Sequence, residues 1–198
     1  MKLEIWFEFA STYSYLSVSR IEELLNGTQI DLAWRPFLLG PIFRGRGLDT
    51  SPFIIDSIKG AYMWRDMERC CKKYGLPFVR PPIFPMNGLS AARIMTAALS
   101  ETWSGDFARL VFAAQFGCGA DISDEAVLRR VLEDCDVTPD EWFAKAKQSL
   151  TKSKLRETTE QARTLGIFGA PSFLVGDELF WGDDRLEDAI AHARDADR

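Results

Sequence analysis

The sequence predicts an α/β fold in which a large all-helical insertion interrupts a small sheet. Three observations support this prediction. Residues 1–40 read as strand, helix, strand; residues 41–165 show helical periodicity; and residues 166–198 read as strand, strand, helix. Residues 1–40 and 166–198 are therefore predicted to form one sheet-bearing domain, and residues 41–165 a helical insertion domain.

The first segment supplies two strands and one helix. Residues 3–9 are nearly continuous in apolar and aromatic side chains, which suits a strand covered on both faces. Residues 12–26 carry apolar side chains at helical spacing, and Asn26-Gly27 is a stop signal. Residues 30–38 read as the next strand, ended or bulged by Pro36. A connection of this length predicts a right-handed unit with parallel strands.

The middle segment is predicted to hold helices only. Its first helix, over residues 56–74, has one face made by Met63, Met67, Cys70, Cys71 and Tyr74. Further helices are predicted over residues 90–100, 106–116 and 151–165, and another opens at Ser123. The run Thr138-Pro139-Asp140-Glu141 is typical of a capping box with proline at the first helical position.

The last segment returns to strands. Residues 172–175 and 178–181 are short and apolar, and Gly176-Asp177 between them favours a type II′ hairpin turn. Asp183 or Asp184 is predicted to cap a terminal helix.

Composition excludes several classes of function. The chain has 198 residues, 46% of them hydrophobic, and a net charge of -5 without a basic stripe, so nucleic acid is not an expected partner. No run of about 18 uncharged apolar residues occurs, so no membrane span is expected. Glu4 and Glu8 interrupt the N-terminal apolar run, which argues against a signal peptide. We therefore expect a soluble, cytoplasmic protein.

The cysteines and the histidine do not suggest a catalytic or metal site. The spacing of Cys70, Cys71, Cys118 and Cys135 matches neither a zinc site nor a redox C-x-x-C pair, so no metal is expected and the thiols are predicted to serve in packing. His192, the single histidine, lies in a polar helix near the C-terminus, which argues against a Ser-His-Asp or Cys-His site.

Pro171 opens the third predicted strand. The order strand-helix-strand followed by strand-strand-helix, with proline at this position, is the plan of the thioredoxin fold, where a cis-proline lies beside the start of the first helix. Trans is the commoner form of an X-Pro bond, so the sequence leaves the isomer of Ala170-Pro171 open.

Five stretches, in order along the chain, carry a family resemblance: FEFASTYSYLS at residues 7–17, KGAYMWRDMER at 59–69, FPMNGLSAAR at 84–93, GIFGAPSFLV at 166–175 and ELFWGDDRLED at 178–188. With them the chain resembles the 2-hydroxychromene-2-carboxylate isomerases. That group is related to kappa-class glutathione transferases and to DsbA-like thioredoxin-fold oxidoreductases with a helical insertion. The resemblance implies a thioredoxin-like domain at residues 1–40 and 166–198.

The resemblance implies that glutathione is bound and that Ser11 is the catalytic residue, at the position of the first redox cysteine of a thioredoxin. A serine that opens a helix can direct its hydroxyl at a thiolate, and the helix start adds positive potential. A thiol with a pKa of about 8.5 is mostly protonated at neutral pH, so stabilising its thiolate increases the fraction of the thiol that is nucleophilic. A plain N-cap is the alternative role of Ser11. Ser14, three residues on, is expected to face a solvated cleft or bond a backbone carbonyl.

Further glutathione contacts follow from the same resemblance. Ala170, before Pro171, pairs its main chain with the cysteinyl part of glutathione. The segment Trp181, Gly182, Asp183 and Asp184 receives the γ-glutamyl end, whose ammonium a carboxylate can pair. Carboxylates at a helix start are also favourable without any function.

The expected substrate contacts are Arg44, Asp49, Lys59 and Asn87. Arg44 lies in FRGRGLDTSPF, residues 43–53, a cationic glycine-rich loop, and an arginine suits a carboxylate. The family often has asparagine where this chain has Asp49, and an acid there repels a carboxylate unless Arg44 or Arg46 pairs it. Lys59 and Asn87 are weaker candidates, because a solvated helix face and an Asn-Gly turn also account for them.

The resemblance implies a glutathione-dependent isomerase that acts on a small aromatic carboxylate, with a homodimer expected by analogy. Two alternatives stay open at this point. One is a glutathione transferase or peroxidase acting on another electrophile. The other is a thioredoxin-like binding module without catalytic activity.

Overall fold

The computed structural model describes residues 1–195, whose strands form one four-stranded mixed sheet in the order β2-β1-β3-β4. Strand β1 (Lys2–Phe7) is parallel to β2 (Asp31–Pro36) and antiparallel to β3 (Ser172–Val175). Strand β4 (Glu178–Trp181) pairs with β3 as a hairpin. The predicted α/β fold, with its parallel first pair, is confirmed.

The strand directions bring distant parts of the chain to one edge of the sheet. Because β1, β2 and β4 run the same way and β3 runs against them, the carboxyl ends of the three meet the start of β3. The segment before Ser11, the loop at Ala170-Pro171 and the segment after Trp181 all leave the sheet at this edge.

The helix predicted over residues 12–26 is two helices, α1 (Thr12–Val18) and α2 (Ile21–Leu25). The N–H of Arg20 bonds the carbonyl of Ser17, three residues back, which tightens the last turn of α1. The side chain of Arg20 extends to Asp183 in the last part of the chain. The prediction of one continuous helix was therefore wrong.

The cationic loop predicted at residues 43–53 is helical at both ends and irregular between them. Helix α3 (Leu39–Gly45) follows the strand, and α4 (Pro52–Ile55) begins after Ser51, whose hydroxyl accepts from the Phe53 N–H. Only residues 46–51 connect the two helices. This places Arg44 on a helix and Arg46 just beyond its end.

The other helices are α5 (Ser57–Tyr74), α6 (Leu89–Ala97), α7 (Ser104–Phe112), α8 (Glu125–Asp134), α9 (Pro139–Lys147), α10 (Ser149–Thr164) and α11 (Leu186–Asp195). A π-helical turn (Ala113–Gly117) extends α7, and a 3-10 turn (Asp183–Arg185) precedes α11.

Three predicted helix starts differ in detail. The cap of α8 is Asp124 rather than Ser123, and Thr138 precedes α9 without making a side-chain cap bond. Asp183 and Asp184 lie within the 3-10 turn, so neither caps α11 as predicted.

Side chains of the sheet and of the helical insertion pack together in the same hydrophobic clusters. One core cluster joins Ile5 and Phe7 of β1 to Phe112 of α7 and Leu128 of α8, while a second, on the other face of the sheet, joins Trp6 to Ala162 of α10. The boundaries at residues 40/41 and 165/166 stay a prediction, and residues 196–198 of the predicted C-terminal segment lie outside the described part. Within residues 1–195, no helix has the length and apolar character needed to cross a bilayer.

Candidate functional site

Ser11 closes a turn directly after β1. Its N–H donates to the carbonyl of Glu8 at 2.9 Å, and its hydroxyl accepts from the Ser14 N–H at 3.2 Å, which makes Ser11 the N-cap of α1. The same hydroxyl donates to the carbonyl of Ala170 at 2.8 Å. Ser11 is partly buried, so its hydroxyl caps the helix and also joins it to the C-terminal part of the chain.

The peptide bond between Ala170 and Pro171 is cis, which answers the question that the sequence left open. Ala170 is partly exposed, and Pro171 is buried at the start of β3. The carbonyl that Ser11 contacts therefore belongs to the residue that the resemblance assigns to glutathione.

Ser14 does not behave as expected from the sequence. It is fully buried, and its hydroxyl has no hydrogen-bond partner among the described residues. The expectation of a solvated cleft or a carbonyl bond was wrong. Only the backbone N–H of Ser14 takes part in the site, through the Ser11 hydroxyl.

The two aspartates after β4 are in different environments. Asp183 is 5% exposed, and its carboxylate accepts from the Ser17 hydroxyl at 2.8 Å and from the Arg20 guanidinium at 2.9 Å. Asp184 is exposed and lies 3.6 Å from the guanidinium of Arg185. Asp184 is thus the more accessible of the two for an ammonium group.

Gly182, between Trp181 and the aspartates, has a φ of +109°, a backbone conformation that residues with a side chain rarely adopt. A Cβ atom at this position would lie 2.5 Å from the Asp184 carboxylate. The glycine therefore allows the chain to turn tightly from β4 into the 3-10 turn. The Trp181 side chain is 53% exposed at the end of the strand.

Lys59 is connected to the start of α1 through two aromatic rings. Its ammonium lies 5.7 Å from the centre of the Phe53 ring, which in turn lies 6.3 Å from the ring of Tyr13. The Tyr13 hydroxyl donates to Asp66 at 2.9 Å, and burial together with that carboxylate raises the pKa of Tyr13. Tyr13 and Phe53 were not expected from the sequence to contribute here.

The cationic segment lacks acidic partners. Arg44, Arg46 and Asp49 are exposed, and none forms an ion pair with another of the described residues. The pairing of Asp49 with Arg44 or Arg46 that the sequence suggested is not observed. Both guanidinium groups are therefore available to an anion.

Asn87 lies on a segment packed against the residues before Ser11. A Cβ atom at Gly88 would lie 2.9 Å from the Cβ of Phe9 and 3.7 Å from the Ala10 nitrogen. The side-chain oxygen of Asn87 accepts from the Leu89 N–H at 3.1 Å, and Asn87 is exposed. The helical insertion thus reaches the turn that leads to Ser11.

Glu8 is a residue of this region that sequence reasoning did not single out as a site candidate. It is partly buried directly after β1, and burial raises the pKa of its carboxyl group to about 8. The available signal was an acid placed at the end of an otherwise apolar strand. Its backbone carbonyl anchors Ser11, so the acid lies one turn from the hydroxyl.

Three of the four thiols have raised pKa values, which disfavours the reactive thiolate. All four cysteines are free, and burial raises the pKa of Cys71 to about 12 and that of Cys135 to about 11. Burial and the nearby Asp66 also raise the pKa of Cys70. Cys118 is exposed, so the prediction of a packing role was wrong for it. Residues 1–195 hold no group of His, Cys, Asp and Glu side chains fit to bind a metal ion.

The sheet order, the cis-proline and the position of Ser11 define the class: thioredoxin-like proteins with a helical insertion and a serine at the start of the first helix. Comparison with known families agrees. Residues 2–192 match the family model of the DSBA-like thioredoxin domain, and the chain belongs to that family.

Individual relatives confirm the resemblance drawn from the motifs. The chain is 27% identical over 187 residues to 2-hydroxychromene-2-carboxylate isomerase of Sphingobium xenophagum, covering 93% of this chain and 94% of the relative. It is 26% identical over 202 residues to a kappa 2 glutathione S-transferase of Caenorhabditis elegans, covering 93% and 88%. A solved 2-hydroxychromene-2-carboxylate isomerase superimposes with a TM-score of 0.88 at 24% identity, covering 100% of this chain and 98% of that one.

Proposed function

We propose that this protein is a glutathione-dependent isomerase acting on intermediates of the 2-hydroxychromene-2-carboxylate type. The observation that carries the proposal is the 2.8 Å hydrogen bond from the Ser11 hydroxyl to the carbonyl of Ala170. It brings a hydroxyl donor and a main-chain acceptor next to a cis-proline together at one edge of the sheet. The names of the relatives support the choice of an isomerase and of glutathione.

The residues present fit glutathione. Ala170 offers a carbonyl for the cysteinyl amide, and the segment from Trp181 to Asp184 offers an exposed carboxylate for the γ-glutamyl ammonium. Because Asp183 is held by Ser17 and Arg20, we assign that ammonium to Asp184. Asp183 then supports the segment without contacting the tripeptide.

Bound glutathione supplies a thiolate nucleophile, whose reversible addition to a conjugated substrate permits bond rotation. Ser11 stabilises that charge by turning its hydroxyl hydrogen away from Ala170 and towards the sulfur. The Ala170 carbonyl is released at the same time and accepts the cysteinyl N–H instead. The Ser11 hydroxyl and the Ala170 carbonyl would each exchange one partner for another, so neither would be left unpaired. Helix α1 has only seven residues, so the hydroxyl matters more than the helix dipole.

The cationic segment at the end of α3 receives the substrate carboxylate. Arg44 and Arg46 have no acidic partner within the described chain, and arginine binds a carboxylate through two parallel hydrogen bonds. From the helical insertion, Asn87 lies next to the residue packed on the turn before Ser11, and Lys59 approaches the start of α1 through the rings of Phe53 and Tyr13. The unpaired Asp49 repels a second carboxylate and so favours substrates with a single anionic group. We expect the enzyme to be cytoplasmic and, by analogy with relatives, a homodimer.

The experiment is to titrate glutathione bound to the protein and to follow the ultraviolet absorbance of its thiolate. Ser11→Ala is expected to raise the pKa of the bound thiol by about one unit and to lower kcat about 100-fold, because a donor to the sulfur is lost. Ser14→Ala is the matched control, since the Ser14 hydroxyl has no partner in the described structure. An unchanged thiolate titration in Ser11→Ala contradicts the proposal.

The alternatives give different results with the same protein. A transferase or peroxidase, which the kappa-class relatives make the second candidate, turns over a generic aryl halide or a hydroperoxide faster than a chromene carboxylate. A binding module without activity takes up glutathione in calorimetry and turns over none of these substrates. Absence of glutathione binding at millimolar concentration excludes both glutathione enzymes.

A further inference from the structure

Two exposed aromatic rings lie beside the cis-proline loop. Phe168 is 38% exposed and Trp181 is 53% exposed, and their ring centres are 4.7 Å apart. Single exposed apolar side chains are common, but two large rings packed on each other at the surface form a preformed apolar face. We call Phe168 and Trp181 the aromatic platform.

The backbone joins this platform to the residue that Ser11 contacts. Gly169 follows Phe168, and a Cβ atom on it would lie 2.4 Å from the Trp181 indole nitrogen, so the indole lies directly against the glycine. The next residue is Ala170, whose carbonyl accepts from Ser11. Trp181 is opposite Ser172 in the sheet register, which fixes the indole across from the start of β3.

A guanidinium group completes the arrangement. Arg46 lies with its guanidinium carbon 5.5 Å from the centre of the Phe168 ring and has no acidic partner in the described part of the chain. A guanidinium above a ring keeps its outward N–H groups free to bind an anion. Arg44 has no ring beneath it among the described contacts, so the two arginines of the segment differ.

We propose that Phe168, Trp181 and Arg46 form the subsite that binds the aromatic carboxylate substrate: its ring packs on the platform and its carboxylate pairs with Arg46. This inference rests on the proposed function, because it places the substrate beside Ser11. The occupant follows from charge and shape. An apolar face beside an unpaired cation matches a flat ring that carries a carboxylate, whereas the glycyl end of glutathione has a carboxylate and no apolar surface.

The test measures binding, without turnover, by calorimetry of the full chain with cinnamate. Arg46→Met is expected to weaken cinnamate binding about tenfold. Phe168→Leu is expected to weaken it about fivefold, because a ring contact is lost. Trp181→Phe keeps a ring and should change the affinity less than about twofold. Unchanged glutathione binding in Arg46→Met and Phe168→Leu shows that the fold is intact. For Trp181→Phe, whose position lies in the segment that receives glutathione, an unchanged midpoint of thermal unfolding is the control.

Two further probes separate the contribution of the carboxylate from that of the flat ring. Cinnamyl alcohol lacks the carboxylate and should not respond to Arg46→Met, and cyclohexylpropionate lacks the flat ring and should not respond to Phe168→Leu. The matched control is the exposed pair of Tyr62 and Arg69 on α5, whose guanidinium lies 6.0 Å from the tyrosine ring. Tyr62→Leu and Arg69→Met should leave cinnamate binding unchanged.

Three results overturn the inference. The first is a larger loss in Arg44→Met than in Arg46→Met. The second is a loss of equal size in the Tyr62 or Arg69 variants. The third is competition between glutathione and cinnamate, which assigns the platform to the cofactor. None of these results changes the thiolate titration that tests Ser11. Cinnamate binding can also be measured if the protein binds no glutathione, so the two proposals can fail separately.

Discussion

Helix α1 is fastened to the C-terminal part of the chain at both ends, by contacts of different kinds. At its start the Ser11 hydroxyl makes one hydrogen bond to a partly exposed carbonyl. The carboxylate of Asp183 accepts from the Ser17 hydroxyl in the last turn of α1 and from the Arg20 guanidinium just beyond its end. The side chains of Arg20 and Asp183 are 12% and 5% exposed. Arg20 also stacks on the ring of Tyr74 at 3.6 Å.

The contacts at the two ends of α1 suit different roles, one in ligand binding and the other in stability. A neutral hydroxyl can exchange one acceptor for another at little cost, because a new partner replaces the old one. A buried ion pair cannot do so, since without Asp183 the guanidinium of Arg20 keeps only its exposed partner, Glu187, at 2.7 Å. The start of α1 is therefore suited to receive a ligand, and the far end is suited to hold the helix in place while that happens.

The largest expected effect comes from breaking the buried link. Asp183→Ala leaves the Arg20 guanidinium without its buried partner, and we expect the free energy of unfolding to fall by about 3 kcal/mol in a urea titration. Asp184→Ala removes an exposed carboxylate one residue away and should cost less than about 0.5 kcal/mol. Equal losses in the two variants would show that the ion pair does not stabilise the fold.

The next effect is the pH dependence of stability that Glu8 contributes near the start of α1. The folded-state pKa of Glu8, about 8, lies above its ordinary value of 4.5, so between these pH values the folded state holds a proton that the unfolded chain releases. The free energy of unfolding contributed by Glu8 therefore falls as the pH rises through this window. In Glu8→Gln this contribution disappears.

The measurement compares urea unfolding of the two proteins at about pH 5 and about pH 8. Relative to the parent, we expect Glu8→Gln to gain about 2 kcal/mol between these conditions. Asp177→Asn, at an exposed turn position, is the control and should not change the slope. If the two pH profiles were parallel, Glu8 would not be the group that makes this end of the helix pH-sensitive.

The smallest effects compare two serines on the same turn. Ser11→Ala removes the cap and the link to Ala170 and should lower the free energy of unfolding by about 1 kcal/mol. Ser14→Ala removes a buried hydroxyl without a partner in the described structure and should raise it by about 0.5 kcal/mol. Thermal unfolding of both variants shows whether each one is more or less stable than the parent. If both changed in the same direction, the different roles given to the two hydroxyls would be refuted.

Local signals in the sequence were sufficient for much of the fold. The strands over residues 172–175 and 178–181 were predicted with their observed bounds, because apolar runs and a glycine-first turn are determined by neighbouring residues. The turn has positive φ at Gly176 and not at Asp177, as a type II′ turn requires. The parallel pairing of the first two strands followed from the short helical connection.

What the sequence missed depends on distant partners. The break between α1 and α2 involves Arg20, whose partner Asp183 lies in the last part of the chain, and local periodicity cannot reveal that contact. For the same reason the sequence did not reveal that the Asp183 carboxylate binds Arg20 and Ser17. The platform of Phe168 and Trp181 was missed because the contact of two aromatic residues across a loop leaves no spacing pattern.

The sheet order also dictates when the site can form during synthesis. Strand β1 is an inner strand, yet its second neighbour, β3, follows all the helices of the insertion along the chain. Until β3 and Ala170 have left the ribosome, one edge of β1 is unpaired and Ser11 lacks its carbonyl partner. Closing the sheet across so long a loop makes folding slow relative to local helix formation. The helices of the insertion can thus form before Ser11 gains its carbonyl partner, so the site assembles only after β3 has been made.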